Sequence, residues 1–167
     1  MFILLEIVSI VLISVAMGLA LAHALEFPGK LRLDEPTYLA VQTIYYPGFT
    51  VGGVSEPLSI IAVLVLLIIG PKDCVQFWLV LTSFAGMVAT QMVFWVVTQP
   101  TNRFWLKHGQ LSGRGARFFG VQQTQQPSFI TEKADWRELR NKWEYSHMAR
   151  AVLSAIALVA LVISVVV

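Results

Sequence analysis

FILLEIVSIVLISVAMGLALAHAL, residues 2–25, decides the fold. Glu6 is its only formally charged residue, and as a helix at ~1.5 Å per residue it reaches about 36 Å. A bilayer core is crossed by roughly 20 apolar residues, so this stretch is long enough to span. A cleaved signal peptide is the competing reading, since Ala22-His23-Ala24 faintly resembles a cleavage site. No Lys or Arg precedes the run, however, and it is long for a signal core. Three further stretches of the same kind follow, at about 51–70, 74–98 and 147–167.

The composition agrees. Of 167 residues, 56% are hydrophobic and 13% charged, against about 25% charged in a soluble domain. We therefore expect an all-α chain, a four-transmembrane-helix bundle forming a single integral membrane domain over residues 1–167. Its expected surroundings are the lipid bilayer, with no nucleic-acid partner. The single cysteine, Cys74, rules out an internal disulfide or a CxxC redox pair.

Breakers punctuate the spans. Pro28-Gly29 is expected to end the first helix. A short helix over residues 37–45 is expected to lie in the interface with its tyrosines. Pro57 falls in the first turn of the second span, where proline is tolerated, and Pro100 stops the third. Residues 99–131 are rich in Gly and Gln and read in part as a loose loop. The last helix begins near residues 131–134 and is polar before it becomes apolar.

Lys30, Arg32, Arg103, Lys107, Arg114, Arg117, Lys133, Arg137, Arg140 and Lys142 fall in the first and third connections, and only Lys72 in the second. The positive-inside rule then places connections 26–50 and 99–146 in the cytoplasm and both termini outside the cell membrane.

Helices in lipid associate through small residues. Ser14, Gly18 and Ala22 form such a stripe on the first span, and Ser83, Gly86, Thr90 and Thr98 on the third. Gln91, polar at mid-membrane depth, should face the bundle interior. Glu6, near the opposite end, reads as a solvated helix start.

The chemistry gathers at one membrane face. His23 and Glu26 end the first span, Glu56 starts the second, Asn102, Arg103 and His108 follow the third, and Trp143, Glu144, His147 and Arg150 begin the fourth. All three histidines belong to this face. Trp136, Leu139, Trp143, His147, Arg150 and Ser154 share one helix face at about 100° per residue.

Several readings are open. Glu144-x-x-His147 matches half of a di-metal carboxylate motif, whereas His23-x-x-Glu26 has the order reversed. Paired axial histidines, His23 and His147, would suit a haem. A third reading has no cofactor, with a His or carboxylate in an apolar pocket acting as general base. A fourth is structural: the same residues anchor helix ends at the headgroups, and Trp78, Trp95 and Trp105 are packing or interfacial aromatics.

AHALEFPGKLRL (22–33), YPGFTVGGVSEPL (46–58), QPTNRFW (99–105) and WRELRNKWEYSHMARAVLSA (136–155) together resemble the anthrone-oxygenase-like family of small four-helix membrane proteins. Most of that family are bacterial domains of unknown function, and a few fungal members convert anthrones to anthraquinones without a cofactor. The resemblance runs through nearly the whole chain, on Pro100-x-Asn102 and Trp143-x-x-x-His147-x-x-Arg150. It implies that His23, Pro100, Asn102, Trp143, His147 and Arg150 matter.

The expected function is an oxidoreductase acting on a lipophilic aromatic molecule at the cytoplasmic face. His147 is the expected base, Arg150 and Asn102 stabilise negative charge, and Glu26 or His23 is an orienting partner. Trp143, Glu56 and Arg103 are expected to bind substrate. The alternative is a non-catalytic accessory or assembly subunit, with an oligomer or membrane-complex partner.

Overall fold

The computed structural model describes residues 2–45, 47–70, 75–106 and 136–167, with backbone alone at 103–106. Lys72, Cys74, His108, the 109–131 segment and the side chains of Arg103 and Trp105 lie outside the described residues. Among the described residues there is no strand. The order is α1 (Phe2–Lys30), α2 (Glu35–Gln42) with a 3-10 turn over Thr43–Tyr45, α3 (Gly48–Gly53) and α4 (Ser55–Ile69). There follow α5 (Val75–Val93), a π turn over Phe94–Thr98, α6 (Gln99–Leu106) and α7 (Trp136–Val166). Four helical runs are long and apolar enough to cross a membrane: Phe2–Lys30, Gly48–Ile69, Val75–Asn102 and Trp136–Val166. The protein is a multi-pass membrane helical bundle.

The helices close a ring in which α1 packs on α4 and α7, and α5 packs on the same two. The seams follow one spacing. α1 buries Glu6, Ser9, Ile13, Ala16, Ala20, His23, Phe27 and Lys30, alternating steps of three and four. α4 repeats it with Glu56, Ser59, Val63 and Leu66, α5 with Val80, Ser83, Met87 and Thr90. On α7 the same steps run through Arg140, Trp143, His147, Arg150, Ser154, Ala157, Leu161 and Ser164. An average step of about 3.5 keeps a face on its neighbours when helices coil around one another with a left-handed twist. One end of the bundle is a dry core around Ile13, Val63, Met87 and Leu161. The other end holds Tyr38, Tyr45 and Trp143.

Several local expectations change. Pro28 does not end α1, which runs on to Lys30. Proline removes only its own N–H, and the next turn closes through Leu31 N–H to the Phe27 carbonyl (3.0 Å). The Ser14-Gly18-Ala22 stripe is not the α1 seam, because Gly18 is exposed with open space around it. Steps of four drift away from a seam that needs 3.5. Glu6 is buried, at 7% exposure, rather than a solvated helix start. The helix after Pro36 does not lay Tyr38 in the interface, since Tyr38 is fully buried. Asp34 starts that helix, its Oδ1 accepting from Thr37 N–H (3.1 Å), as an N-cap carboxylate does.

The small-residue seam on α5 holds. A Cβ at Gly86 would lie 3.0 Å from Ala157 Cβ and 3.1 Å from the Leu153 carbonyl oxygen. Gly86→Leu should therefore push α5 from α7 and lower stability by about 1–3 kcal/mol, the usual cost of overpacking. Unfolding midpoints in detergent check this, and an unchanged midpoint would show that the two helices separate there freely.

Candidate functional site

Pro100 does not stop the third span as expected: the helix runs on through it, and the span extends to Asn102. Proline has no N–H to offer and its ring crowds the preceding turn. The helix widens just before it: Gln99 N–H reaches back five residues to the Phe94 carbonyl. Thr101 Oγ1 donates to the Val97 carbonyl (2.8 Å). Such single wide turns are frequent at functional sites. Here the turn brings Phe94, Trp95 and Thr98 to one cavity.

That cavity has a volume of about 320 Å³ and lies between α1, α3, α4, the π turn and α7. His23, Glu56, Asn102, Trp143, His147 and Arg150 all line it. Its other walls come from Leu19, Phe49, Val54, Phe94 and Trp95, with Gln42, Tyr45 and Gln91 among its polar lining. The size is at the lower end of the range for small-molecule sites, roughly 300–1,000 Å³.

The histidines meet at its floor. Their ring centroids are 4.2 Å apart, and both side chains are buried. His147 stacks against Trp143 at 4.1 Å. His147 Nδ1 lies 2.9 Å from the Trp143 carbonyl oxygen. A carbonyl only accepts, so Nδ1 carries the proton and Nε2 keeps its lone pair. Trp143 Nε1 donates to Asn102 Oδ1 (2.7 Å). An indole N–H only donates, so the Asn102 NH₂ group is left to donate elsewhere.

The cationic side is locked. Arg150 pairs with Glu56 Oε1, and its guanidinium lies over the Phe94 ring at 5.2 Å. With its amide set to satisfy both neighbours, Gln91 donates to Glu56 Oε2 (3.1 Å) and accepts from Trp95 Nε1 (2.8 Å). Gln91 thus faces the interior as expected. Trp95 is both 59% exposed and part of the cavity wall, while Trp78 is simply exposed.

Glu26 and Glu144 are placed differently from their sequence neighbours. Glu26 does not line the cavity; it accepts from Tyr45 OH and pairs with Lys30 at 3.0 Å. Glu144 is fully buried, 3.4 Å from Lys30 Nζ, and accepts from Tyr38 OH at 3.0 Å. Lys30 also lies over the Tyr45 and Trp143 rings at 4.8 and 5.0 Å. Behind the cavity floor there is therefore a second polar layer of Lys30, Glu26, Glu144, Tyr38 and Tyr45.

Sequence reasoning missed Lys30, Tyr38 and Tyr45. Lys30 was readable, because it continues the three-four spacing of the α1 seam. The tyrosines lie in a connection whose path no periodicity reveals.

This layout does not suit the metal readings. Glu144 Oε1 is taken by Lys30 and Tyr38, and its carboxylate belongs to the layer behind the cavity rather than to its lining. As axial haem ligands on opposite sides of the iron, two imidazoles would have centroids about 6 Å apart, and those of His23 and His147 are 4.2 Å apart. Among the described residues no group of three His, Cys, Asp or Glu side chains converges as a metal site.

Burial and neighbouring carboxylates raise the Tyr38 and Tyr45 hydroxyls well above the ordinary phenol range, with burial the larger cause and Glu144 and Glu26 the respective carboxylates. The folded protein holds these protons where the unfolded chain releases them. Stability should thus fall as pH rises past about 10. Unfolding midpoints between pH 9 and 11 should drop in the wild type and flatten in Tyr38→Phe/Tyr45→Phe. Equal slopes would refute the assignment. Comparison of the chain with protein-family models, curated proteins and solved structures found no match.

Proposed function

We propose that the protein is a membrane oxidoreductase that takes a proton from an oxygenated aromatic substrate held in this cavity. One observation carries the reading: His147, buried, lines an aromatic-walled cavity with Nδ1 tied to the Trp143 carbonyl and Nε2 free to accept. A positioned imidazole of this kind is a general base. Arg150 and the Asn102 NH₂ stand beside it as donors for the negative charge left on the substrate. Trp143 and Phe94 offer flat walls, and Glu56 fixes Arg150. Glu26 serves at one remove, by holding Tyr45 against His23 at 4.3 Å.

The family resemblance points to the reaction. An anthrone loses a proton from its ring CH₂, and the carbanion gives electrons to O₂. One oxygen atom becomes the new ring carbonyl and the other leaves as water, so anthrone and O₂ become anthraquinone and water. The lysine and arginine distribution supports a cytoplasmic position for this face, with the termini outside. A purely scaffolding role leaves the cavity without an occupant.

The test is oxygen uptake by purified protein in nanodiscs with an anthrone. The expected result is one O₂ consumed per anthraquinone formed, faster than in empty nanodiscs. Uptake equal to the protein-free rate, with this anthrone and with simple naphthols, would overturn the proposal.

A further inference from the structure

The cavity has a mouth, and its position bears on what reaches the site. Most of the lining is buried or half-buried, but Val54 (47%), Trp95 (59%) and Pro57 are exposed. All three fall within membrane-spanning runs. Val54 and Pro57 line the cavity from the start of α4, and Trp95 lines it from the π turn. The surface around them is apolar and outward-facing: Leu58, Ile61, Met92 and Val96 are all exposed. An opening rimmed by apolar residues inside two spanning runs suits access from hydrocarbon rather than from water.

The inside of the cavity asks for something else. Gln42 Nε2, Thr50 Oγ1 and Arg150 Nε belong to lining residues, are buried and have no hydrogen-bond partner. These atoms lie just under the cavity wall, and small side-chain rotations beside the Asn102 NH₂ would turn a set dominated by donors toward a ligand. Buried polar groups are almost always paired, so this set calls for acceptor oxygens between aromatic walls.

We propose that the cavity fills sideways from the bilayer, and that its ligand is an aromatic ring bearing acceptor oxygens whose hydrocarbon tail leaves between Val54, Pro57 and Trp95. Trp95 is the movable leaf of this mouth, latched by its N–H to Gln91. Carbonyl oxygens of a quinone and the oxygen of a phenol share the required chemistry. The inference rests on the proposed function only in taking the cavity to hold an aromatic ring.

The experiment is binding to the full chain in phospholipid nanodiscs, read both at equilibrium and as an association rate, with empty nanodiscs subtracted and affinity expressed per lipid. The probes are a decyl-substituted benzoquinone, the same quinone without its tail, 4-decylphenol and decylbenzene. The decyl quinone or the decylphenol should bind at least tenfold tighter than decylbenzene, and the tighter of the two identifies the source of the oxygen. Val54→Trp, which fills the mouth, should weaken the tailed probe at least tenfold more than it weakens the tail-free quinone. Trp95→Ala should speed association of the tailed probe, which keeps the test alive if Val54→Trp does not fold. If decylbenzene binds as tightly, the oxygenated ring is wrong. If both variants treat tailed and tail-free probes alike, the lateral mouth is wrong while the aromatic site stands. If no probe binds the wild type, the inference and the aromatic site fall together.

Discussion

His147→Ala should lower turnover by about 10²–10⁴, the usual contribution of a positioned general base, and leave the bundle folded. The geometry separates these two effects. The Trp143 carbonyl that holds His147 Nδ1 also accepts from Ser146 Oγ at 2.6 Å, so removing the imidazole does not strand it. The lost ring opens onto a cavity already present, and the seam residues on either side, Trp143 and Arg150, keep their own partners. The unfolding midpoint should therefore move little. His147→Gln fills most of the volume, cannot take and release a proton, and should be as slow as alanine. Asn102→Ala should be milder in rate and costlier in stability, since it strands the buried Trp143 N–H. Full activity in His147→Gln would remove His147 from the role of base, and His23, its ring neighbour at 4.2 Å, would be the next candidate.

The sequence made the four spans legible because length and lack of charge suffice to identify them. It also brought His23, Glu56, Asn102, Trp143, His147 and Arg150 to one face, and the structure puts all six on one cavity. What it hid was orientation about each helix axis. In water, apolar residues mark the buried side. Here lipid and core are both apolar, so Ile13 on the seam and Val11 facing outward look alike. The usable signal is polar and small residues at steps of three and four, such as Glu6, Ser9, Ala16, His23 and Lys30. Reading steps of four instead chose Gly18, which faces outward. Connections were harder still. Tyr38, Tyr45 and Phe49 come to the site by a path set by Pro36, Pro47 and contacts with Trp143 and His23, none of which has a period. Arg103 lies where the described backbone carries no side chains, so its part in the site is untouched by this geometry.

Arg150→Ala should cost about 3–5 kcal/mol, the range for breaking a buried ion pair by removing one partner. Arg150 is 8% and Glu56 4% exposed. They join α7 to α4, the two helices that face each other across the ring, so the pair ties the bundle through its centre. Without Arg150, the Glu56 carboxylate retains, among the described residues, Gln91 as its donor (3.1 Å), too little for a charge in so apolar a place. Glu56→Gln should be less harmful, because a neutral amide keeps the shape and its oxygen still accepts from Arg150. Replacing both, as Glu56→Leu/Arg150→Met, should recover most of the loss, since a well-packed apolar pair often matches a buried ion pair in stability. Activity should not recover, because the donor beside His147 is gone. A double-mutant cycle on unfolding midpoints and oxygen uptake reads both quantities at once. If the double variant is as unstable as the sum of the singles, the two residues do not act as a pair. If it regains turnover along with stability, Arg150 holds α4 to α7 and takes no part in the chemistry.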